Sequence, residues 1–201
     1  MSERDGYQHG VPCWVDTWQP DADAAAAKAA QAGGRVVVAP FGSLDGGRMA
    51  IVADPAGAVI GLWQPGRHRG AQRVNEASAY AMSMLHTPDP EGAAAFYGDL
   101  FGWTTESFGD ATMFRLPGFV GGEPEQPVSR EVVAVMMPAR DGEPARWDVD
   151  FWIADTDAAV MRAAELGGTV VAGPYDTPTH RQALLADPTG ATFTVSSLKL
   201  G

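Results

Sequence analysis

"VDTWQPDADAAAAKAAQAGGRVV" (residues 15–37) returns as "VDFWIADTDAAVMRAAELGGTVV" (149–171), identical at 13 of 23 positions at an offset of 134. Self-similarity at a fixed offset is read first as one structural unit written more than once. Each copy runs in the same order: a short β-prone stretch, an Asp opening an Ala-rich helical segment, Gly-Gly, then a β-branched run. Asp23 and Asp157 offer an anionic oxygen to the N–H groups of a helix N-terminus. Gly33 and Gly167 stand where the chain turns left-handed to end the helix.

The likeness continues beyond the helix. "VVVAPFGSLDGGRMAIVADPAGAVIGLW" (36–63) parallels "VVAGPYDTPTHRQALLADPTGATFTVSS" (170–197), and the "ADPAG" and "ADPTG" segments read as tight hairpin turns. A third unit of the same order lies between the copies, in "YAMSMLHTPDPEGAAAFYGDLFGWTTESFGDATMFRLPGF" (80–119) and "REVVAVMMP" (130–138). The expected fold is therefore α+β, built from three βαβββ modules.

Composition narrows the function. With 25 acidic and 14 basic residues the net charge is -11, which repels phosphate backbones and disfavours nucleic acid as a partner. No run approaches the roughly 20 apolar residues of a membrane span, and "MSERDGYQHG" lacks a signal-peptide core. Cys13 is the single cysteine, so no intrachain disulfide forms and a cytoplasmic location is expected. In the apolar "VPCW" segment Cys13 reads as an inert buried thiol. Neither a Gly-x-Ser-x-Gly elbow nor a P-loop occurs.

"TPDPEGAAAFYGDLFGW" (87–103), with two copies of ADP-x-G (53–57 and 186–190), resembles the vicinal oxygen chelate superfamily of glyoxalases, bleomycin-resistance proteins and extradiol dioxygenases. Within it, residues from about 10 to 198 are most similar to duplicated glyoxalase-like proteins of actinomycetes, some encoded near polyketide antibiotic pathways. The resemblance implies modules that pair into curved mixed sheets, each pair enclosing a cup. Relatives of the duplicated kind carry four modules, so a stretch of roughly fifty residues is missing here. Residues 11–70 then form an orphan module, 71–79 a linker, and 80–145 with 146–201 one paired domain. An orphan module leaves an apolar sheet edge and face open, and a homodimer through the N-terminal module would cover both. The polar run with Arg67, His68, Arg69 and Arg73 reads as a solvated connection, with anion binding as the alternative.

The resemblance also locates metal ligands: one seven residues before the helix-cap Asp, another seven after the Asp of ADP-x-G. Counting from Asp21, Asp89 and Asp155 reaches Trp14, Met82 and Asp148; counting from Asp54 and Asp187 reaches Gly61 and Thr194. Only Asp148 suits a hard cation, with Glu131 a second carboxylate if it faces the same point and a solvent-facing residue otherwise. No metal and no other cofactor is expected.

Strand alternation places Asp148, Asp150 and Trp152 on one face, joined by Tyr80, Met82, Met84 and His86 and by Thr192, Thr194 and Ser196. Such a wall of aromatic, thioether and hydroxyl groups suits a flat, largely apolar ligand, with Trp152 stacking on it; plain core packing is the competing reading. Trp103 reads as structural, packing helix on sheet. Asp148 or Asp150, raised by desolvation, and His86 are candidate acid and base groups, although His86 could instead brace the "TPDP" turn. Arg181, expected in a loop over the cup mouth and matched by Arg48 in the first copy, either orients the ligand or forms a surface ion pair. Asp16 and Trp18 are the counterparts of Asp150 and Trp152.

Two functions follow as expectations. One is a metal-independent protein binding a small aromatic or polyketide-like molecule, in sequestration, resistance or an accessory biosynthetic role. The other is a cofactor-free cyclase, isomerase or hydroxylase-like enzyme using the cup carboxylates. A metal-dependent lyase or dioxygenase is disfavoured by the ligand count.

Overall fold

A computed structural model describes residues 16–43, 46–74, 76–119 and 131–199. Cys13, Trp14 and the segment 1–10 lie outside the described residues. The elements run β1 (Thr17–Trp18), α1 (Ala22–Gln31), β2 (Arg35–Ser43), β3 (Gly47–Ala53) and β4 (Val59–Pro65), then β5 (Ala79–Thr87), α2 (Pro90–Phe101), β6 (Thr104–Phe108), β7 (Ala111–Arg115) and β8 (Val132–Pro138). The same order closes the chain in β9 (Arg146–Trp152), α3 (Thr156–Glu165), β10 (Thr169–Asp176), β11 (His180–Ala186) and β12 (Thr192–Leu198). Helices and mixed sheets make the fold α+β, with no closed barrel among the described residues. No described helix is long and apolar enough to cross a membrane.

β1–β4 form one sheet in the order β1-β4-β3-β2, and β5–β12 a second in the order β10-β11-β12-β9-β5-β8-β7-β6. In each of the three segments the first strand runs parallel to the last: β1 with β4, β5 with β8, β9 with β12. The larger sheet is joined at its centre by the antiparallel pair β5·β9. Among the described residues the outer edge of β1, the counterpart of those two strands, pairs with nothing.

Local chemistry explains the helix ends. The caps are Asp21, whose carboxylate accepts from the Asp23 and Ala24 amides, Asp89, accepting from Gly92, and Asp155, accepting from Ala158. Asp23 and Asp157, read from sequence as the capping oxygens, lie two residues beyond the caps, in the first turn, and instead hold arginines: Arg48 at 2.6 Å and Arg181 at 2.6 Å. Gly33 and Gly167 adopt φ of +92° and +85°, the left-handed exit that L-residues resist.

The main core fuses the first segment to the second. Ala25, Ala26 and Ala29 of α1 are small enough to bring it close to α2, whose Phe96, Tyr97, Leu100 and Phe101 continue the same cluster. Trp103 joins it, stacked on Tyr97 at 5.7 Å, as its structural reading requires. The first segment, expected to stand without a partner in its chain, thus covers its helical side within the chain. Its opposite face stays open: Val38 and Phe41 are exposed, aligned across the sheet with Ile51 and Met49.

Candidate functional site

The site is the cup face of the larger sheet, and register defines its rows. Leu184, Thr194, Asp150 and Met82 lie side by side across β11, β12, β9 and β5. One row along, Asp148, Met84 and Val135 are neighbours, and beyond them Arg146, His86 and Met137. Trp152 aligns with Ser196 and Gln182. The alternation expected of Met82, Met84, His86, Asp148, Asp150, Trp152, Thr194 and Ser196 therefore brings them to one face.

Tyr80 does not join them. It aligns with Phe151, whose ring packs on Phe193 on the opposite face, and its hydroxyl bonds Ser83 Oγ at 3.0 Å. The cause is a register shift between Tyr80 and Met82, where one extra residue, Ala81, interrupts the alternation. Arg181 also departs from expectation. It lies within β11 rather than in a loop, on the same side as Ala183 and Leu185, which pack under α3, and it grips Asp157 and Asp176. The repeated basic group of Arg48 and Arg181 is thus a clamp on the first turn of α1 and α3.

The two cup carboxylates have opposite environments. Asp148 is fully engaged: Oδ2 lies 3.1 Å from Arg146 Nε and 3.3 Å from His86 Nε2, while Thr192 donates to Oδ1 at 3.2 Å. Glu143 completes the cluster on Arg146. Burial pushes His86 below its ordinary pKa, and the neighbouring Arg146 adds to the effect against the opposing pull of Asp148. Asp150 is 4% exposed and stands apart from these charges. Ser196 Oγ donates to its Oδ2 at 2.5 Å, and Oδ1 has no hydrogen-bond partner among the described residues. Desolvation raises its pKa to about 7, offset in part by the Ser196 hydrogen bond. Tyr175, raised by burial and by Asp150 itself, borders the site, and His180 lies 6.3 Å from the Trp152 ring.

A metal fits these residues poorly. The positions at which the superfamily places its ligands hold a thioether at Met82, a hydroxyl at Thr194 and a carboxylate at Asp148 whose two oxygens are already bonded. Glu131 is held elsewhere, by Arg115 at 2.7 Å and the Gly118 amide. Among the described residues no three His, Cys, Asp or Glu side chains converge.

The equivalent face of the first segment is built differently beside its own carboxylate. Where the third segment has Thr194, the first has Gly61, and a Cβ there would meet Asp16 Oδ1 at 2.0 Å. Asp16, raised in pKa by burial, so lies flat on the strand and lines a cleft of about 70 Å³ with Trp147 and Val149.

Sequence reasoning missed two features. Arg146 is two residues from Asp148 on one strand, so alternation alone could have paired them. The other is a buried chain joining all three segments: Trp147 Nε1 donates to Tyr97 Oη at 2.8 Å, and Tyr97 donates to Asp54 Oδ2 at 3.1 Å. Nothing local in the sequence signals it.

Repeated βαβββ order, parallel first and last strands and an antiparallel seam joining two such segments define a member of the vicinal oxygen chelate superfamily. The chain belongs to it: residues 82–196 match the model of a glyoxalase-like domain. It is 39% identical over 193 residues to CFP32 of Mycobacterium tuberculosis, a protein that bears the name glyoxylase, covering 94% of this chain and 72% of that one. It is 35% identical over 196 residues to the anthracycline biosynthesis protein DnrV of Streptomyces peucetius, covering 96% of this chain and 69% of the relative. Among solved structures, the Mn(II)-bound glyoxalase of Novosphingobium aromaticivorans superposes with a TM-score of 0.62 at 16% identity, over 92% of this chain. Homoprotocatechuate 2,3-dioxygenase of Arthrobacter globiformis does so at 0.55 and 16%, over 91% of this chain. The chain spans 62% and 61% of these two, and the likeness is one of fold.

Proposed function

We propose that this protein binds an aromatic, polyketide-like small molecule in the β5–β12 cup without a metal, in an accessory role in natural-product biosynthesis. The observation that carries the reading is the donor set: Met82 and Thr194 stand at ligand positions, and Asp148 is consumed by Arg146, His86 and Thr192. What remains on this face is the thioethers of Met82, Met84 and Met137 and the Trp152 ring, set against polar groups of β9 and β12, a mixture that suits a flat, largely apolar molecule with a polar edge. The similarity to DnrV supports the biosynthetic setting, and the single cysteine suits a reducing cytoplasm. Titration with an anthracyclinone while following tryptophan fluorescence tests binding, with quenching expected through Trp152. Metal analysis of the purified protein tests the rest: stoichiometric Fe, Zn, Ni or Mn would overturn the metal-free reading.

Asp150 supports a second reading, a cofactor-free acid–base enzyme, because a carboxyl with a pKa of about 7 takes up and releases protons at physiological pH. Product analysis on the bound ligand separates the two: turnover that Asp150→Asn abolishes favours the enzyme, and recovery of unchanged ligand favours the binder.

We further propose a homodimer through the N-terminal segment. Within the chain, the strands equivalent to β1 pair with each other in antiparallel fashion as β5·β9. A second copy is the occupant that reproduces this seam at the open edge of β1 by twofold symmetry.

A further inference from the structure

Among the described residues of the β5–β12 face, Asp150 is where a side-chain oxygen is buried and left without a partner. Ser196 occupies Oδ2 by donating to it; Oδ1 is without a donor among the described residues, in a side chain only 4% exposed. Its row neighbours are Met82 and Thr194, with Leu184 beyond. A buried acceptor left unpaired is costly, so such atoms are commonly completed by a ligand or water. We propose that Oδ1 of Asp150 is the anchor for the hydroxyl of a phenolic ring, so that the molecules bound here are hydroxylated aromatics seated with that hydroxyl toward β9 and β12. This rests on the ligand-binding reading above.

The count of donors and acceptors favours a phenol over two other groups. An ammonium brings three N–H donors, each needing an acceptor out of water, whereas the cup offers one orphan oxygen beside a thioether. A ketone brings only an acceptor, and Ser196 already points its hydrogen at this carboxyl, which is therefore arranged to receive hydrogen bonds. A phenol brings one donor for one acceptor, on a flat ring that Met82, Met84 and Trp152 can flank.

The test uses calorimetry at about pH 8, with naphthalenes of nearly equal size that differ in one substituent. The wild-type protein is expected to bind 2-naphthol about tenfold more tightly than 2-methylnaphthalene, the lower end for a hydrogen bond to a charged group. In Asp150→Leu the preference should fall to about unity while 2-methylnaphthalene still binds. The wild-type comparison stands by itself if that variant fails to fold. Equal wild-type affinities overturn the phenol anchor and leave the aromatic-binding reading intact; failure of every naphthalene to bind overturns both. Tighter binding of 2-acetylnaphthalene or of 2-naphthylmethylamine than of 2-naphthol would also overturn it, assigning the carboxyl to a ketone or an ammonium.

Discussion

Asp150 makes the stability of this protein depend on pH in an unusual direction, and Asp150→Asn isolates the effect. Its folded pKa of about 7 lies above the ordinary carboxylate value of 3.8. Between those values the folded chain holds a proton that the unfolded chain has released, so stability falls as pH rises through this window and levels off above it. At 1.36 kcal/mol per pKa unit, the two units from about pH 5 to pH 7 cost about 3 kcal/mol, with nothing further to pH 8. Asn has the same shape, keeps an acceptor for Ser196 and cannot ionise. Urea denaturation of both proteins at about pH 5 and pH 8 should show the variant gaining about 3 kcal/mol on wild type across that interval. The difference between the two proteins cancels other titrating groups, including Asp16, His86 and His180. Parallel curves for wild type and variant would refute the argument, and so would a wild type that gains on the variant as pH rises.

Tyr97→Phe removes one hydroxyl and leaves both Trp147 Nε1 and Asp54 Oδ2 short of a partner, at a cost of about 3 kcal/mol and roughly 6–12 °C in Tm, read by circular dichroism. Arg181→Ala, which unclamps α3 on the face away from the cup, should leave the affinity for an aromatic ligand unchanged, with a small stability loss that high salt erases. Light scattering at micromolar concentration should give twice the chain mass for wild type; a wild-type monomer would end the dimer proposal.

Much of the architecture was legible because the sequence repeats itself. Once one copy is read as strand, helix and three strands, the offset of 134 carries that reading to the other, and alternation puts Asp148, Asp150 and Trp152 on one face of the sheet. The failures have local causes. Tyr80 was misplaced because alternation assumes an unbroken register, and a bulge of one residue inverts every side chain before it. Arg181 falls in a strand rather than the expected loop because the connection after Asp176 already ends before His180, where β11 begins. Asp54 and Asp187 sit in near-identical turns, yet one is buried against Tyr97 while the other bonds only its own turn. Only the segment packed opposite distinguishes them, and no local pattern reports that.

The β5·β9 seam has a stereochemical consequence. It joins two backbones of nearly the same shape, so by outline alone a planar guest could be seated in either of two orientations related by a half-turn. The side chains remove that degeneracy. On the β5 and β8 half the lining is Met82, Met84, His86, Val135 and Met137, whereas the β9 and β12 half offers Arg146, Asp148, Asp150, Trp152, Thr194 and Ser196. A guest bound as proposed would therefore meet a different end on each half of the seam, and its orientation would follow from the divergence of two similar segments of one chain.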